Sequence, residues 1–359
     1  MRILVLADLA SFHTPRWIEA LERHNPGEVY ALSLEPPREP RERWIYVPPR
    51  VQNLTFRYVL TADRVKRVVE DLQPDLLNPV NMPNYGLLAA LVAGRRPVYL
   101  VGWGSDILLT AEKTPIHRQA FRFLIHRAQH IAVDALVMRD RLTEGYGYPR
   151  DRITVITWGV PEELRNRPIP PFEPPEEWIL VSHRRIAPDM DPFTTLRAVD
   201  LLVQQNLPVR LIMASDGSLG REARAFVAAR PTLRDRVTFT GFLPYEELMA
   251  TVARGHLYLS ASLVDSTSVS LLEAMALGVF PVVSDLPANR EWILDGFNGL
   301  LFEPGNPRDL ARRIQEAMAR PERIQRARQL NKALVQEKAC WECHIARVYR
   351  EMQRLVEES

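Results

Sequence analysis

The sequence predicts an α/β protein made of two doubly wound parallel sheets, and three observations carry that expectation. Apolar runs of strand length alternate with helix-period segments along most of the chain. The alternation is interrupted by a proline-rich stretch from Pro168 to Pro175, which neither a helix nor a sheet interior accepts. The chain has 359 residues and is 46% hydrophobic, enough for two or three domains that each bury a core.

In the first half, strand-like runs at 3–7, 98–101, 131–133 and 153–156 alternate with helical patterns at 15–23, 62–72 and 116–128. In the second half the strands fall at 178–182, 209–214, 237–240, 256–259 and 280–284, and the helices at 193–205, 219–229, 245–252 and 309–319. A strand, a helix and a second strand close most readily as a right-handed parallel crossover, so each half predicts its own parallel sheet. The expected division is a first domain over 1–167, a linker at 168–176, a second domain over 177–320 and charged helices over 321–359. Ile324, Leu330, Leu334, Trp341, Ile345 and Val348 are the apolar contacts of that last stretch. Ligands of doubly wound sheets bind beyond the carboxyl ends of the strands, which places the expected site in a cleft between the two domains.

Composition narrows the function classes. A net charge of +2 gives no global argument for nucleic acid as partner. The amino terminus shows no basic segment ahead of an apolar one, and Arg95 and Arg96 break the most hydrophobic region before it reaches membrane-spanning length, so a cytoplasmic protein is expected. Cys340 and Cys343, followed by His344, spell a haem-attachment pattern. With no export signal and a polar, helix-like setting, they read as incidental neighbours rather than a haem or zinc site.

The most informative stretch runs from Asp265 to Val283. It reads as a strand ending at Leu259, a Ser-rich exit loop, a helix over 270–277 stopped by Gly278, and a further strand. The free amides and positive end of such a helix can hold a diphosphate. Asp265 and Glu273 stand at that same end, and carboxylates, which only accept hydrogen bonds, suit the vicinal hydroxyls of ribose or hexose. A competing reading makes Ser270-x-x-Glu273 a capping box, in which Glu273 only reaches back to the cap's own N–H.

Asp265, seven residues, Glu273, then Ala-Met-Ala-Leu-Gly278-Val-Phe-Pro281-Val-Val resembles the hallmark of the retaining family 4 glycosyltransferases of GT-B fold. The resemblance implies two Rossmann-like domains facing across a cleft, with the last helix crossing back to the first domain. It implies Glu273 as the ribose-binding acid and Asp265 as the residue on the transferred sugar. The amides of Ser268, Val269 and Ser270 would face the diphosphate. The family opens this motif with Glu-Gly-Phe-Gly, whereas this chain has Asp265 followed by Ser266, Thr267 and Ser268.

After the first strand of the second half comes Ser182-His-Arg-Arg185-Ile, where the family shows Gly-Arg-Leu and, a few residues on, Lys-Gly. Arg184 and Arg185 are the candidates for the diphosphate, with Arg185 preferred because Ile186 follows it. The family lysine is missing: Lys66, Lys113, Lys332 and Lys338 are the chain's lysines, and none is near this loop. The Arg pair could take both duties, since a guanidinium grips phosphate bidentately. Asp189 and Asp191 form an Asp-x-Asp, but the resemblance is to enzymes that usually hold the diphosphate without metal, so neither metal nor cofactor is expected. Gly241, Phe242 and Leu243 match the loop that reads the nucleotide base.

On the acceptor side the candidates are His13, Arg16, Trp103, Ser105 and Asp106. Trp103 stands where the family often has a His near the reacting sugar, leaving Ser105 and Asp106 as polar candidates, with Asp106 to orient an acceptor hydroxyl or to cap a helix. Arg118, Arg122, His126 and Arg127 form a basic helix face. Its default reading is a solvated surface; the alternative is peripheral contact with anionic lipid at the inner face of a membrane or with a lipid-phosphate acceptor.

The expected function is transfer of a hexosyl group from a nucleoside diphosphate sugar to an acceptor hydroxyl of a glycan, a lipid-linked molecule or a small molecule, with retention of configuration. Arg185, Asp265 and Asp106 are the expected catalytic residues. A non-catalytic sugar-nucleotide-binding subunit, or an epimerase or phosphorylase of the same architecture, stays open as an alternative. A Rossmann dehydrogenase does not fit, because no intact G-x-G-x-x-G follows the first strand.

Overall fold

The computed structural model describes residues 1–11, 13–51, 56–104, 107–108 and 114–359, with His13 by its backbone alone. The chain forms two compact units, Met1–Thr157 joined by Trp341–Ser359, and Trp158–Cys340. In the first, strands β1 (Arg2–Leu6), β2 (Glu28–Ser33), β3 (Trp44–Tyr46) and β4 (Leu76–Pro79) pair in the order β3-β2-β1-β4. Strands β5 (Tyr99–Gly102), β6 (His130–Val133) and β7 (Ile153–Val155) form a second ladder. Single bridges from Leu77 to Val98 and from Val80 to Val101 link the two, and all these pairings are parallel. Helices α1 (His13–His24), α2 (Arg57–Leu72), α3 (Leu87–Val92), α4 (Pro115–Arg127) and α5 (Leu136–Asp140) supply crossovers.

The second unit holds one six-stranded parallel sheet, in the order β10-β9-β8-β11-β12-β13. Its strands are β8 (Trp178–Ser182), β9 (Val209–Met213), β10 (Val237–Phe239), β11 (Leu257–Ser260), β12 (Phe280–Ser284) and β13 (Leu300–Phe302). Around them lie α6 (Glu162–Asn166), α7 (Pro192–Gln204), α8 (Gly220–Ala228), α9 (Pro231–Arg234), α10 (Tyr245–Ala253), α11 (Val269–Ala276), α12 (Pro287–Arg290), α13 (Pro307–Met318) and α14 (Pro321–Lys338). The strands are buried nearly throughout, as expected for a sheet covered on both faces. Leu180, Leu211, Leu257, Leu259, Phe280 and Val282 pack on one side under α7 and α13. Val181, Tyr258, Leu271, Leu272, Met275 and Val283 form the core on the other.

The division falls at Thr157/Trp158 rather than at the proline-rich stretch. Val160 and Leu164 are buried beside Leu271, Leu272 and Leu277, so the chain joins the second core before it reaches Pro168. The stretch itself lies within that unit, where the Phe172 amide donates to Gln325 and its ring meets Trp178. The C-terminal helices separate. Helix α14 stays with the second unit through Ile324, Ala327 and Val335. Helix α15 (Trp341–Glu357) belongs to the first, where Glu351 accepts from Tyr99 and Thr154, each at 2.7 Å, and the Tyr349 hydroxyl donates to Asn25. Cys340 and Cys343 are both disulfide-bonded, which corrects the reading of them as incidental neighbours. Among the described residues no helix is long and apolar enough to cross a membrane.

Candidate active site

The sheet order of the second unit fixes where the site forms. From β8 the chain winds outward through β9 and β10, then returns to place β11 on the other side of β8 and winds away through β12 and β13. The loops leaving β8 and β11 therefore diverge at a topological switch point, where doubly wound sheets bind ligands. The β8 loop begins with His183, Arg184 and Arg185, and the β11 loop carries Asp265 and Ser266 to Ser268 into α11.

Helix α11 is buried from Ser270 to Ala276, so its sequence is apolar all round rather than striped. Ser268 is its N-cap, accepting from the Leu271 amide at 3.3 Å, so the helix starts at Val269. Its first amides have no intrahelical partner. It ends at Gly278, whose φ of +75° a side chain would oppose, and where an added Cβ would also meet Ile169 at 2.5 Å.

Arg184 is the hub of the site. One terminal nitrogen donates to Ser268 Oγ at 2.5 Å and Ser270 Oγ at 3.0 Å. The other donates to Asp265 Oδ2 at 2.6 Å and to Met190 Sδ at 2.8 Å. Both members of the Arg184–Asp265 pair are nearly buried, at 13% and 12% side-chain exposure. Burial opposes the Arg184 charge, but Asp265 beside it more than offsets this and holds the guanidinium above its ordinary value. Burial pushes the Asp265 carboxyl up, against the pull of Arg184. The Tyr258 hydroxyl closes the cluster on Ser270 Oγ at 2.8 Å.

Glu273 does not make the capping box. The cap is Ser268, and Ser270 Oγ is taken by Arg184 and Tyr258. Glu273 Oε2 instead meets His183 Nε2 at 3.0 Å, with both side chains almost sealed from solvent. His183 was not among the sequence candidates. The available signal was its position directly after a central strand, but its partner lies 90 residues away.

Arg185, adjacent in sequence, points elsewhere: its side chain is 63% exposed and pairs with Asp189 at 3.3 Å. Asp191 caps α7 through Thr194. Gly241 has φ +71° and is followed by Phe242, 75% exposed at the end of β10. Between these loops, Gly217 approaches Ile186 so closely that an added Cβ would lie 2.4 Å from its carbonyl oxygen. Asp265, Ser268, Ser270, Glu273 and Arg184 thus come together, with Val269 in the first turn of α11. Arg185, Gly241, Phe242 and Leu243 lie on the flanking loops.

In the first unit the guanidinium of Arg16 lies 4.6 Å over the Trp341 ring, and Trp17 packs edge-on against both Trp341 and Trp103. Trp17 is anchored by Nε1 to Asn78, a contact the sequence did not signal. Ser105 and Asp106 lie outside the described residues, as does the side chain of His13. On α4, Phe121, Leu124 and Ile125 are buried, while Arg122, Phe123, His126 and Arg127 line an open surface pocket.

Comparison with known proteins agrees with this geometry. The family described as glycosyl transferases group 1 matches residues 166–334, and that described as glycosyl transferase 4-like matches residues 2–135. The alpha-D-kanosaminyltransferase of Streptomyces kanamyceticus is 23% identical over 220 residues, which is 58% of this chain and 56% of that protein. This chain thus aligns with little more than half the length of that relative. A sucrose-phosphate synthase from Thermosynechococcus elongatus superposes with a TM-score of 0.80 at 18% identity, covering 100% of both chains. HepE from Anabaena, in complex with UDP, superposes at 0.78 with 16% identity, again over 100% of both. The parallel α/β units, the motif around Asp265 and Glu273 and both family matches agree that the chain belongs to the glycosyl transferases group 1 family and is a glycosyltransferase of GT-B fold.

Proposed function

We propose that this glycosyltransferase moves a hexosyl group from a nucleoside diphosphate sugar to an acceptor hydroxyl, with retention of configuration and without a metal. The carrying observation is the Arg184–Asp265–Ser268 cluster at the start of α11, with Glu273 one turn further along the helix. A guanidinium fixed beside a helix N-terminus, its charge balanced by Asp265, sets pre-oriented donors next to the positive end of the helix, an arrangement that can stabilise a departing diphosphate. Asp191 has the left-handed φ of +39° that suits the glycine of the Lys-Gly pattern, which puts Met190 at the lysine position. The Arg184 guanidinium reaches Met190 Sδ, so a cation stands beside that position despite the missing lysine. Arg185, exposed on the same loop, supplies a second cation.

In this reading Glu273 binds the ribose, and Asp265 fixes Arg184 and meets hexose hydroxyls. The loop of Gly241, Phe242 and Leu243 takes the base. HepE, of the same fold, has been crystallised with UDP-glucose, which supports a donor of this class. Retention requires no enzyme base, because the leaving phosphate can accept the acceptor's proton; Asp106 would orient the acceptor hydroxyl. The acceptor is a glycan, a lipid-linked molecule or a small molecule. We place the enzyme in the cytoplasm, and the exposed Ile116, Phe123 and Arg122 of α4 favour contact with the inner membrane face.

A thermal-shift panel of nucleoside diphosphates and their sugars tests the donor, since a selective binder raises the melting point by mass action. Donor turnover is then followed with Arg185→Ala. An exposed arginine in a 3.3 Å surface pair contributes within about 1 kcal/mol to stability, so the variant melts like the parent while transfer falls by about 100-fold. An unchanged rate removes Arg185 from the mechanism. Nucleotide binding without turnover in any acceptor mixture replaces the enzyme reading with a binding subunit.

A further inference from the structure

We infer that His183 is a positioning residue, which orients Glu273 so that the enzyme distinguishes ribose from deoxyribose in its donor. The inference rests on the proposed donor reading. A carboxylate can only accept, so at 3.0 Å the His183 ring donates through Nε2–H to Glu273 Oε2. Among the described residues that is the only hydrogen bond of the Glu273 carboxylate, which leaves Oε1 for a ligand. A glutamate has three side-chain torsions, and this contact fixes the end of the Glu273 side chain away from the start of its own helix. The ring cannot easily move. It is 2% exposed and packs 5.3 Å from the Tyr258 ring. Tyr258 is itself fixed through Ser270 to Arg184. The sugar and phosphate ends of the donor site are thereby one connected structure.

The second ring nitrogen sharpens the assignment. Nδ1 is buried and has no hydrogen-bond partner. With the hydrogen on Nε2, the orphaned atom is an acceptor lone pair. With the hydrogen on Nδ1, an orphaned donor would be buried and two acceptors would face each other across 3.0 Å. The fold thus selects the Nε2–H tautomer, the one that holds Glu273.

The test uses calorimetric titration of the full chain with whichever of UDP, GDP and ADP binds tightest, and with its 2′-deoxy and 3′-deoxy counterparts. Three proteins are compared: the parent, His183→Gln, whose amide nitrogen reaches about as far from Cβ as Nε2 does, and His183→Leu. A hydrogen bond to a charged group corresponds to about a tenfold or greater preference for the ribonucleotide in the parent, and His183→Gln retains it. His183→Leu loses the ribonucleotide's advantage and binds all three ligands about as the parent binds the deoxy forms.

A preference that survives in His183→Leu overturns the inference. So does an equal loss for ribo and deoxy ligands, which is the mark of a merely structural residue. Should His183→Leu fail to fold, nitrogen NMR of the parent decides: a ring protonated at Nε2 and hydrogen-bonded to a carboxylate is expected, and one protonated at Nδ1 alone refutes the assignment. A parent that binds none of the diphosphates overturns the donor reading together with this one, whereas a parent that binds one without ribose preference overturns this inference alone.

Discussion

Replacing Arg184 by Met tests the idea that the site is organised around a desolvated ion pair. Met removes the charge and every donor while keeping much of the volume. The pair closes at 2.6 Å with side chains 13% and 12% exposed, so Asp265 would be left charged, buried and unpartnered by Arg184. Breaking a buried pair from one side costs about 3–5 kcal/mol. The serine hydroxyls add little, since Ser268 and Ser270 lie 2.9 Å apart and can turn to each other. In a unit the size of 158–340, each kcal/mol moves the melting point by about 2–4 °C, so the single variant should melt about 6–20 °C lower. The double variant Arg184→Met/Asp265→Leu should recover most of the loss, because an apolar pair of similar volume replaces a buried ion pair at little cost.

The pH dependence has a definite sign. The Asp265 carboxyl is already raised by burial, and losing Arg184 raises it further. A group raised in the folded state contributes stability that is full below its unfolded value, about 3.9, and is lost as pH rises through its folded value. The deficit of Arg184→Met should therefore be smallest near pH 4 and grow towards neutrality. Chemical denaturation across pH reads this directly. A loss below about 1 kcal/mol at pH 7, or a double variant no more stable than the single one, would show that the pair is solvated and the reasoning wrong.

Two further predictions follow from neighbouring loops. Gly217→Ala places a Cβ 2.4 Å from the Ile186 carbonyl oxygen, a backbone atom that cannot swing aside. The loop that carries Arg184 and Arg185 must shift, and the variant should lose about 1–3 kcal/mol of stability and bind nucleoside diphosphate more weakly; unchanged melting and binding would contradict this packing. The Arg224 hydrogen bond, followed by the Gly217 amide, holds the Asp216 carboxyl below its ordinary value. That contribution is present above about pH 4 and is lost as pH falls through the folded value. Asp216→Asn should therefore show a slightly smaller fall in melting point between pH 5 and 3, and an identical fall removes Asp216 from the acid response.

The second unit was the more legible half. Strands β8 and β12 fall where the apolar runs predict them, because each is a nearly continuous buried run between clear turns, and β9, β10 and β11 shift by a residue or so. Strands β2, β3, β4 and β13 were missed. Trp44–Tyr46 and Leu300–Phe302 are three residues long, and β4 contains Asn78 and ends in Pro79, which read against a strand. The site divides in the same way. Asp265, Ser268 and Glu273 lie within one strand–helix connection, so their proximity is local and readable. The split between Arg184 and Arg185 is not readable, because adjacent residues leave a strand end in different directions, one buried on α11 and one exposed. The Trp17–Trp341 contact joins the two ends of the chain and has no local signature at all.

The sequence by itself determined the alternating α/β pattern, because strand and helix periodicity is set by neighbouring residues, and it carries the Asp265–Glu273 motif on which the resemblance to glycosyltransferases rests. Only the tertiary structure decided which arginine is buried at the start of α11, that Ser268 rather than Ser270 caps it, and that His183 holds Glu273. Those choices depend on β8 and β11 lying side by side. Strand order is fixed by the packing of the whole sheet, so no local stretch of sequence encodes it.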